Sequence, residues 1–316
     1  MNLEQLRSFA TLAEVGHFTQ AAGQLHLAQP SLSRQIATLE QDLGAELFHR
    51  ARGNITLTAA GQALLPLATR MLADADRVRR EMAELAGLRK GTVSFGAPPS
   101  LCMSLLTDVL HDFHNQYPGI ELQLREAGSK TLLEELTAGV LDMALIVSSE
   151  HGIADGSLVD IPLLREELVV ISDLARSLPD RNGRLTLREL APLPQIALST
   201  SYDLRSATAQ AYNTQGLTPH LVLEGVEMDA VLGFVESKLG LAIVPATVAI
   251  NRPQLRTLRL SEPQMTRTLS LAHRRDVSLS PAAAAMATTI RRSSLRMAQE
   301  NDGLISLDET APEADA

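Results

Sequence analysis

The sequence predicts a mixed α/β chain in three parts: an N-terminal winged helix-turn-helix, one long helix, and a C-terminal domain of two α/β lobes. Three observations predict this architecture. Residues 18–44 have the pattern of two short helices around a tight turn, apolar residues then repeat in steps of four and three, and strand and helix patterns alternate beyond residue 90. With 316 residues, 45% of them hydrophobic, the chain is long enough for two or three domains.

The first helix can close a three-helix core, because Asn2 can cap it and Gly16 can end it. Its apolar residues share one side: Leu3, Leu6, Phe9, Ala10 and Ala13. A second helix follows, and the hydroxyl of Thr19 is its expected cap. The small Ala21 and Ala22 then let a further helix approach closely.

That further helix is predicted to start near Pro30 and to end at Gly44. Its apolar stripe is Leu32, Ile36, Leu39 and Leu43, and its other face carries Gln29, Ser31, Ser33, Arg34, Gln35 and Thr38. No carboxylate precedes Glu40 on that face, as a helix end that faces phosphates requires. The predicted DNA contacts here are Thr19, Gln29, Pro30, Ser31, Ser33, Arg34 and Thr38. The alternative is an ordinary amphipathic surface helix.

A short hairpin, the wing, is predicted after this helix, with a turn over residues 50–54 and apolar residues alternating with threonines beyond it. Arg50 and Arg52 at the tip can contact the phosphate backbone or the minor groove, or they are two solvated arginines.

The opening MNLEQLRSFATLAEVGHFTQAAGQLHLAQPSLSRQIATLEQDLGAELFHR resembles the N-terminal domain of LysR-type transcriptional regulators. The resemblance is dense over residues 1–58 and looser up to about residue 275. It implies a winged helix-turn-helix at 1–58, a dimerising linker helix at 59–89, and a periplasmic-binding-protein-like effector domain at 90–299. The implied partners are double-stranded promoter DNA, a small-molecule effector and further copies of the chain as a homodimer or homotetramer. RNA polymerase is a further candidate partner.

The long helix is expected from Ala59 to about Leu88, with Thr58 as its cap. Its heptad-like seam consists of Leu64, Ala68, Met71, Ala75, Val78, Met82 and Leu85. Such a seam packs against a partner helix and predicts a dimer on palindromic half-sites. The alternative is a helix that lies on its own domain.

Charge and composition narrow the function classes. The net charge is −9, but residues 1–90 hold 10 Lys and Arg against 9 Asp and Glu, so the acidity lies outside the predicted reader. One cysteine gives no disulfide framework, and we predict no metal, no cofactor and no catalytic residue. No signal peptide or spanning segment is evident, which predicts a soluble cytoplasmic chain without a membrane partner.

Two other classes of protein remain as alternatives. A transporter's solute-binding protein would share two lobes but would need a secretion signal and would lack the reader. An enzyme would be expected to show a G-x-S-x-G, phosphate-loop or H-E-x-x-H motif, and the sequence has none. His111, Asp112 and His114 are read as a solvated helix face, with a metal site as the alternative.

In the two lobes, a parallel sheet is predicted from alternating strands and helices. The strands are expected at 93–96, 120–125, 143–147, 196–198, 221–224 and 241–244, with two more between Leu158 and Ser172. The helices are expected from Ser100, from Ser129, at 203–215 and at 227–238. Ligands of such sheets sit beyond the carboxyl ends of the strands, so the cleft between the lobes is the expected pocket.

The effector-binding residues are predicted at these loops, partly because they match positions that LysR-type regulators use. They are Ser100, Ser129, Val147, Ser148, Thr200, Tyr202 and Arg205. The two serines at helix starts have simple N-capping as an alternative role. Arg205 is the expected partner of a carboxylate, or else it pairs with a neighbouring acid. From Arg205 and the helix termini we expect a small carboxylate or an aromatic acid as effector.

Two smaller features complete the sequence. Cys102 is interpreted as a packing residue rather than a redox sensor, because a peroxide switch needs a second cysteine. Residues 300–316 hold six acids and no base and are predicted to be a disordered tail, either without a role or shielding the basic helix before them.

Overall fold

A computed structural model describes residues 1–51, 54–84, 91–148, 153, 155–179, 182–200, 202–301 and 303–308. The chain forms two compact units. The first comprises Met1–Ala86 with Glu134–Leu141, and the second comprises Gly87–Leu133 with Asp142–Ala316. Among the described helices, none combines the length and the apolar character that crossing a membrane requires.

The first unit begins with a helix-turn-helix and a hairpin. Its elements in chain order are α1 (Leu3–Val15), α2 (Phe18–Gln24), α3 (Gln29–Leu43), β1 (Phe48–Ala51), β2 (Asn54–Leu57) and α4 (Ala59–Glu84). The apolar stripe of α3 is buried at Leu32, Ile36 and Leu39. The rings of Phe9 and Phe48 pack with centroids 5.4 Å apart, which joins α1 to the hairpin.

The predicted ends of these helices are mostly confirmed. Asn2 and Gln5 form a capping box on α1, and Gly16 and Gly44 end α1 and α3 with left-handed φ values of 67° and 69°. The capping role expected of Thr19 is wrong: α2 starts at Phe18, and its N-cap is His17, two residues before Thr19.

The wing hairpin pairs Phe48 with Leu57 through Ala51 with Asn54. The turn is shorter than predicted, because strand pairing extends over Arg50. Arg52, the other predicted tip residue, lies outside the described residues.

Helix α4 begins where predicted, since the N–H of Gly61 donates to the hydroxyl of Thr58 at 3.1 Å. Its predicted seam is divided between two environments. Ala68 is buried against α1 and the rest of its own domain, as the alternative reading had it. Further along, Met71, Val78 and Met82 are 42%, 58% and 60% exposed. Residue 85, the last of the seam, lies outside the described part of the chain.

Gly61 is required where α4 approaches the hairpin, because a Cβ there would lie 2.2 Å from the carbonyl oxygen of Leu47. Gly61→Ala is expected to lower the free energy of unfolding of this unit by about 1–3 kcal/mol. Gly23→Ala is the matched control: Gly23 is helical too, a Cβ there meets nothing within 4 Å, and alanine is the better helix former. Urea denaturation followed by circular dichroism measures both, and equal stability of the two variants would show that the approach of Leu47 to residue 61 does not require glycine.

The second unit is built around a nine-stranded sheet and a separate parallel pair of strands. Its strands are β3 (Gly91–Ala97), β4 (Ile120–Glu126), β5 (Met143–Ser148), β6 (Leu158–Asp173), β7 (Arg184–Thr186), β8 (Gln195–Leu198), β9 (Leu221–Val226), β10 (Ala242–Pro245), β11 (Leu255–Ser261), β12 (Thr266–Arg274) and β13 (Ile305–Leu307). Its helices are α5 (Pro99–Cys102), α6 (Leu105–Gln116), α7 (Ser129–Thr137), α8 (Leu187–Leu190), α9 (Asp203–Thr214), α10 (Met228–Glu236), α11 (Ala246–Ala249) and α12 (Pro281–Glu300). The last residues of α7, from Glu134 on, belong to the first unit.

The sheet is mixed rather than parallel as predicted. Strand β3 pairs in parallel with β4 and β5, but β12 runs antiparallel to both β5 and β6. The two strands predicted between Leu158 and Ser172 are one strand, β6. A register shift lets β6 continue past Pro162, since Leu269 pairs with Leu164 and Ser270 with Pro162. Strand β6 runs through both lobes, pairing with β12 in the first and with β10 and β11 in the second.

The predicted disordered tail is wrong over its first part. Strand β13 pairs with β6, and Ile305 at its start is 1% exposed. Burial of this isoleucine and the ladder hydrogen bonds outweigh the acidic composition that predicted disorder. Residues 309–316 lie outside the described residues.

Candidate functional site

A cavity of about 210 Å³ lies between the two lobes of the second unit. The first lobe contributes the loops after β3 and β4, the end of β5 and the start of β12. The second lobe contributes the residues where α9 and α10 begin. The lining residues are Pro98, Pro99, Ser100, Glu126, Ala127, Gly128, Val147, Tyr202, Asp203, Leu204, Glu227, Met228 and Arg267. The cavity therefore combines an apolar wall with a few charged and hydroxyl groups, which is usual for a small-molecule site.

Arg267, which brings a positive charge to the cavity, forms a buried ion pair with Glu166. The Nε of Arg267 donates to Glu166 Oε1 at 2.8 Å, and its Nη2 donates to the hydroxyl of Ser100 at 3.0 Å. The other oxygen of Glu166 accepts the N–H of Thr247 at 2.8 Å. The side chains of Arg267 and Glu166 are 11% and 0% exposed. Each group is thus paired where desolvation would otherwise be costly, and Arg267 is fixed in position.

Three carboxylates also line the cavity: Glu126, Asp203 and Glu227. The Tyr202 hydroxyl donates to Glu227 Oε2 at 2.7 Å and accepts the N–H of Met228 at 3.3 Å. Burial raises the pKa of this phenol above its ordinary value, and the bond to Glu227 and the charge of Glu126 raise it further. Tyr202 therefore stays protonated and can donate a hydrogen bond at any physiological pH.

Three of the seven predicted effector-binding residues line the cavity: Ser100, Val147 and Tyr202. The N–H of Val147 is bound by the hydroxyl of Ser129 at 3.0 Å, so Ser129 joins the start of α7 to the end of β5 instead of facing the cavity. The hydroxyl of Ser148 bonds that of Ser270 at 2.8 Å. Ser129 and Ser148 thus bond to other residues of the first lobe, and neither is among the described residues that line the cavity.

The other two predicted residues also lie outside the lining. Thr200 is exposed in the loop before α9. Arg205 pairs with Glu224 at 3.3 Å, as the alternative reading had it, and lines a smaller depression beside β8. The expectation that Arg205 faces the cleft is corrected, because Leu204 reaches both the cavity and the depression, whereas Arg205 lines only the depression.

Sequence reasoning missed Arg267, Glu126 and Glu227. Each lies at the start or end of a strand or helix, which is where a site in an α/β sheet is expected, and each could have been considered on that ground. The alternative role of Ser100 as an N-cap is wrong, since Pro98 is the N-cap of α5 and Ser100 lies within the helix.

The predicted DNA-reading face on α3 is exposed at Gln29, Pro30, Ser31, Arg34 and Thr38, while Ser33 is half-buried. The first turn of α3 contains no acid, and its N-cap Ala28 offers no side-chain hydrogen bond. The N–H of Ser31 donates to the carbonyl oxygen of Ala28 at 2.9 Å and Pro30 has no N–H, so side chains, rather than a row of free backbone N–H groups, characterise this end of the helix.

Two polar side chains on this helix bond inside the protein. Gln35 accepts from the hydroxyl of Ser8 and so joins α3 to α1. Thr38 donates to the carbonyl oxygen of Arg34 at 2.9 Å. Gln35 is therefore used for packing rather than for reading.

Two other sequence features have internal partners. Asp112 pairs with Arg296 at 3.0 Å, and His111 bonds Asn115 at 3.0 Å. Cys102 lies at the end of α5, where burial and the nearby charge of Glu126 raise the pKa of its thiol to about 12.

The raised pKa predicts an unreactive cysteine. At pH 8 a thiol of pKa about 12 is almost entirely protonated, and thiolate accumulates only as the pH rises towards 12. Alkylation of Cys102 by iodoacetamide in the folded protein is expected to be more than about 100-fold slower than that of free cysteine. Mass spectrometry follows the reaction, and the urea-unfolded chain is the control. Alkylation as fast as in the unfolded chain would contradict the assignment.

Comparisons with known proteins agree with this geometry. The model of the bacterial regulatory helix-turn-helix protein, lysR family, matches residues 3–62, and that of the LysR substrate binding domain matches residues 86–294. The HTH-type transcriptional regulator YybE of Bacillus subtilis is 33% identical over 283 residues, covering 90% of this chain and 96% of YybE.

A probable hydrogen peroxide-inducible genes activator of Streptomyces viridosporus is 30% identical and covers 86% of this chain and 88% of its own. Among solved structures, full-length CbnR in complex with its target DNA has a TM-score of 0.65 at 24% identity, covering 93% of this chain and all of that one. That likeness shows the fold. Both family models together span the reader and the cavity-bearing domain, and this chain therefore belongs to the LysR family of DNA-binding transcriptional regulators with an effector-binding domain.

Proposed function

We propose that this chain regulates a promoter by inserting α3 into the major groove and by sensing a small organic acid in the inter-lobe cavity. The observation that carries the first half is the exposed, acid-free first turn of α3, flanked by Arg34 and short hydroxyl and amide side chains. The wing arginines Arg50 and Arg52 are proposed to contact the DNA backbone beside it. The site of action would be the cytoplasm, where the promoter is.

A dimer is the proposed DNA-binding form. Met71, Val78 and Met82 are exposed apolar residues of α4 spaced by seven and four. That spacing places them on one side of the helix, where a second copy of α4 can cover them. A homodimer would read two half-sites, and a homotetramer would pair two such dimers. Contact with RNA polymerase is part of the same proposal.

The effector is proposed to be a small carboxylate or aromatic acid. Arg267, and not Arg205 as expected, is proposed to pair with its carboxylate. The guanidinium and the hydroxyl of Ser100 meet at the cavity wall, where both can face a carboxylate. The effector would act by binding one arrangement of the subunits better than another, and a coupling free energy of about 1–3 kcal/mol would suffice.

Arg34→Ala tests the reading face. Loss of one base or phosphate contact is expected to weaken specific DNA binding by about 1–3 kcal/mol per reader. Fluorescence anisotropy with the DNA upstream of the chain's own gene measures this at several salt concentrations. Arg188→Ala is the control, since Arg188 lies on α8 in the other unit. Equal affinity of the Arg34→Ala and Arg188→Ala variants would remove Arg34 from the DNA interface.

A further inference from the structure

The charges that line the inter-lobe cavity restrict its ligand further than the proposed function does. Glu126 is the last residue of β4, Asp203 is the first residue of α9, and Glu227 immediately precedes α10. The only arginine or lysine among the described lining residues is Arg267, whose charge is already paired with Glu166. The cavity therefore has a surplus of negative charge.

Helix N-termini would ordinarily attract an anion to this place. Here the chain's own carboxylates already lie at the two second-lobe helix starts, Asp203 at α9 and Glu227 at α10. The N–H of Met228, in the first turn of α10, already donates to the hydroxyl of Tyr202. A ligand that carried only a carboxylate would meet attraction at Arg267 and repulsion at these acids.

The two glutamates come from different lobes, because Glu126 belongs to the first and Glu227 to the second. Both line the cavity together with Tyr202, whose hydroxyl donates to Glu227 at 2.7 Å. A positive group between them would be attracted to both sides of the cleft at once, and it would favour the lobes being held together.

The rest of the lining is apolar, with Pro98, Val147, Leu204 and Met228 among it. Such a wall fits a short hydrocarbon side chain better than a second polar group.

We propose that the effector is a free amino acid with an apolar side chain, held by its carboxylate at Arg267 and Ser100 and by its ammonium between Glu126 and Glu227. The proposal rests on the proposed effector-sensing function and adds the ammonium group and the apolar side chain to it. It distinguishes this cavity from one that selects a simple carboxylate or an aromatic acid.

Isothermal titration calorimetry of the full-length protein tests this with matched sets of three probes. Leucine is compared with 4-methylpentanoate, which lacks the amine, and with 3-methylbutylamine, which lacks the carboxylate. Alanine, valine, isoleucine, methionine and phenylalanine are compared with their own two analogues. At least one amino acid is expected to bind, and both of its analogues are expected to bind about 10- to 100-fold more weakly, because each loses a charge-assisted hydrogen bond.

Two isosteric variants locate the ammonium. Glu126→Gln and Glu227→Gln are each expected to weaken binding of the amino acid by about tenfold or more and to leave the affinity for the deaminated analogue unchanged or higher. Glu121→Gln is the matched control, because Glu121 is an exposed acid on the same strand as Glu126 but lies outside the cavity lining. Thermal unfolding of each variant checks that the domain remains folded.

The inference is overturned if a deaminated analogue binds as tightly as its amino acid, if the amine alone binds as tightly, or if none of the six amino acids binds at millimolar concentration. None of these results touches the DNA-binding half of the proposed function, which is measured separately on the promoter fragment. A deaminated acid that binds in the cavity would overturn the amino acid and retain the carboxylate effector.

Discussion

A chain that carries both Val78→Glu and Met82→Glu is expected to be a monomer and to lose about 100-fold or more in affinity for its promoter. The two side chains are more than half exposed on α4 and belong to its unpaired apolar seam. Paired helices would bring four new carboxylates together in a seam that excludes water, which is strongly unfavourable. A monomer would then bind one half-site without the gain from linking two readers.

Sedimentation equilibrium and DNA binding of the same preparation measure the two effects. Val78→Leu with Met82→Leu is the matched control, since it changes the same two positions and keeps them apolar; it is expected to remain dimeric. An unchanged circular dichroism spectrum of the glutamate variant would exclude unfolding as the cause. The substituted residues lie on α4 and not on the reading face of α3, so a loss of affinity would not come from a lost DNA contact. A glutamate variant that remained dimeric would show that α4 is not the dimer interface.

Glu166→Ala is expected to destabilise the second unit by about 3–5 kcal/mol. This carboxylate is fully buried. It forms an ion pair with Arg267 and accepts the N–H of Thr247. Its removal leaves a largely buried guanidinium and a buried N–H without their acceptor.

Replacing both partners separates loss of the pair from loss of volume. Glu166→Leu combined with Arg267→Met should recover most of the lost stability, because no unpaired charge then remains. Differential scanning calorimetry of the two variants measures this, and both should lose the effector response. If Glu166→Ala were as stable as the unchanged protein, the ion pair would not be the anchor of the cavity wall.

The reader could be predicted from sequence because its information is local. Pro30, the four-three spacing of Leu32, Ile36 and Leu39, and Gly44 lie within one helix, and each acts on its own turn of backbone. The cap predicted at Thr19 lies two residues from the observed N-cap, His17, because helix boundaries depend on the neighbouring turn.

The cavity was predicted only in outline because its partners are far apart along the chain. Arg267 lies 101 positions from Glu166 and 167 from Ser100, and no periodicity relates them. Arg205 and Arg267 both lie near the start of a helix or strand. Only the tertiary structure shows that Arg205 pairs with Glu224 and that Arg267 lines the cavity. The disorder predicted for the tail was wrong for a related reason. Its composition is acidic, but Ile305 is buried where β13 pairs with β6.

We propose that one chain reads DNA with α3 and responds to a small molecule in its second unit. DNase footprinting of the full-length protein on the DNA upstream of its own gene, with and without the six amino acids and their deaminated analogues, tests both activities in one experiment. We expect a protected dyad whose extent changes with one compound and whose occupancy falls steeply as salt rises. No protection at any salt concentration would contradict the DNA-reading function, and a footprint that no compound altered would contradict the sensing function.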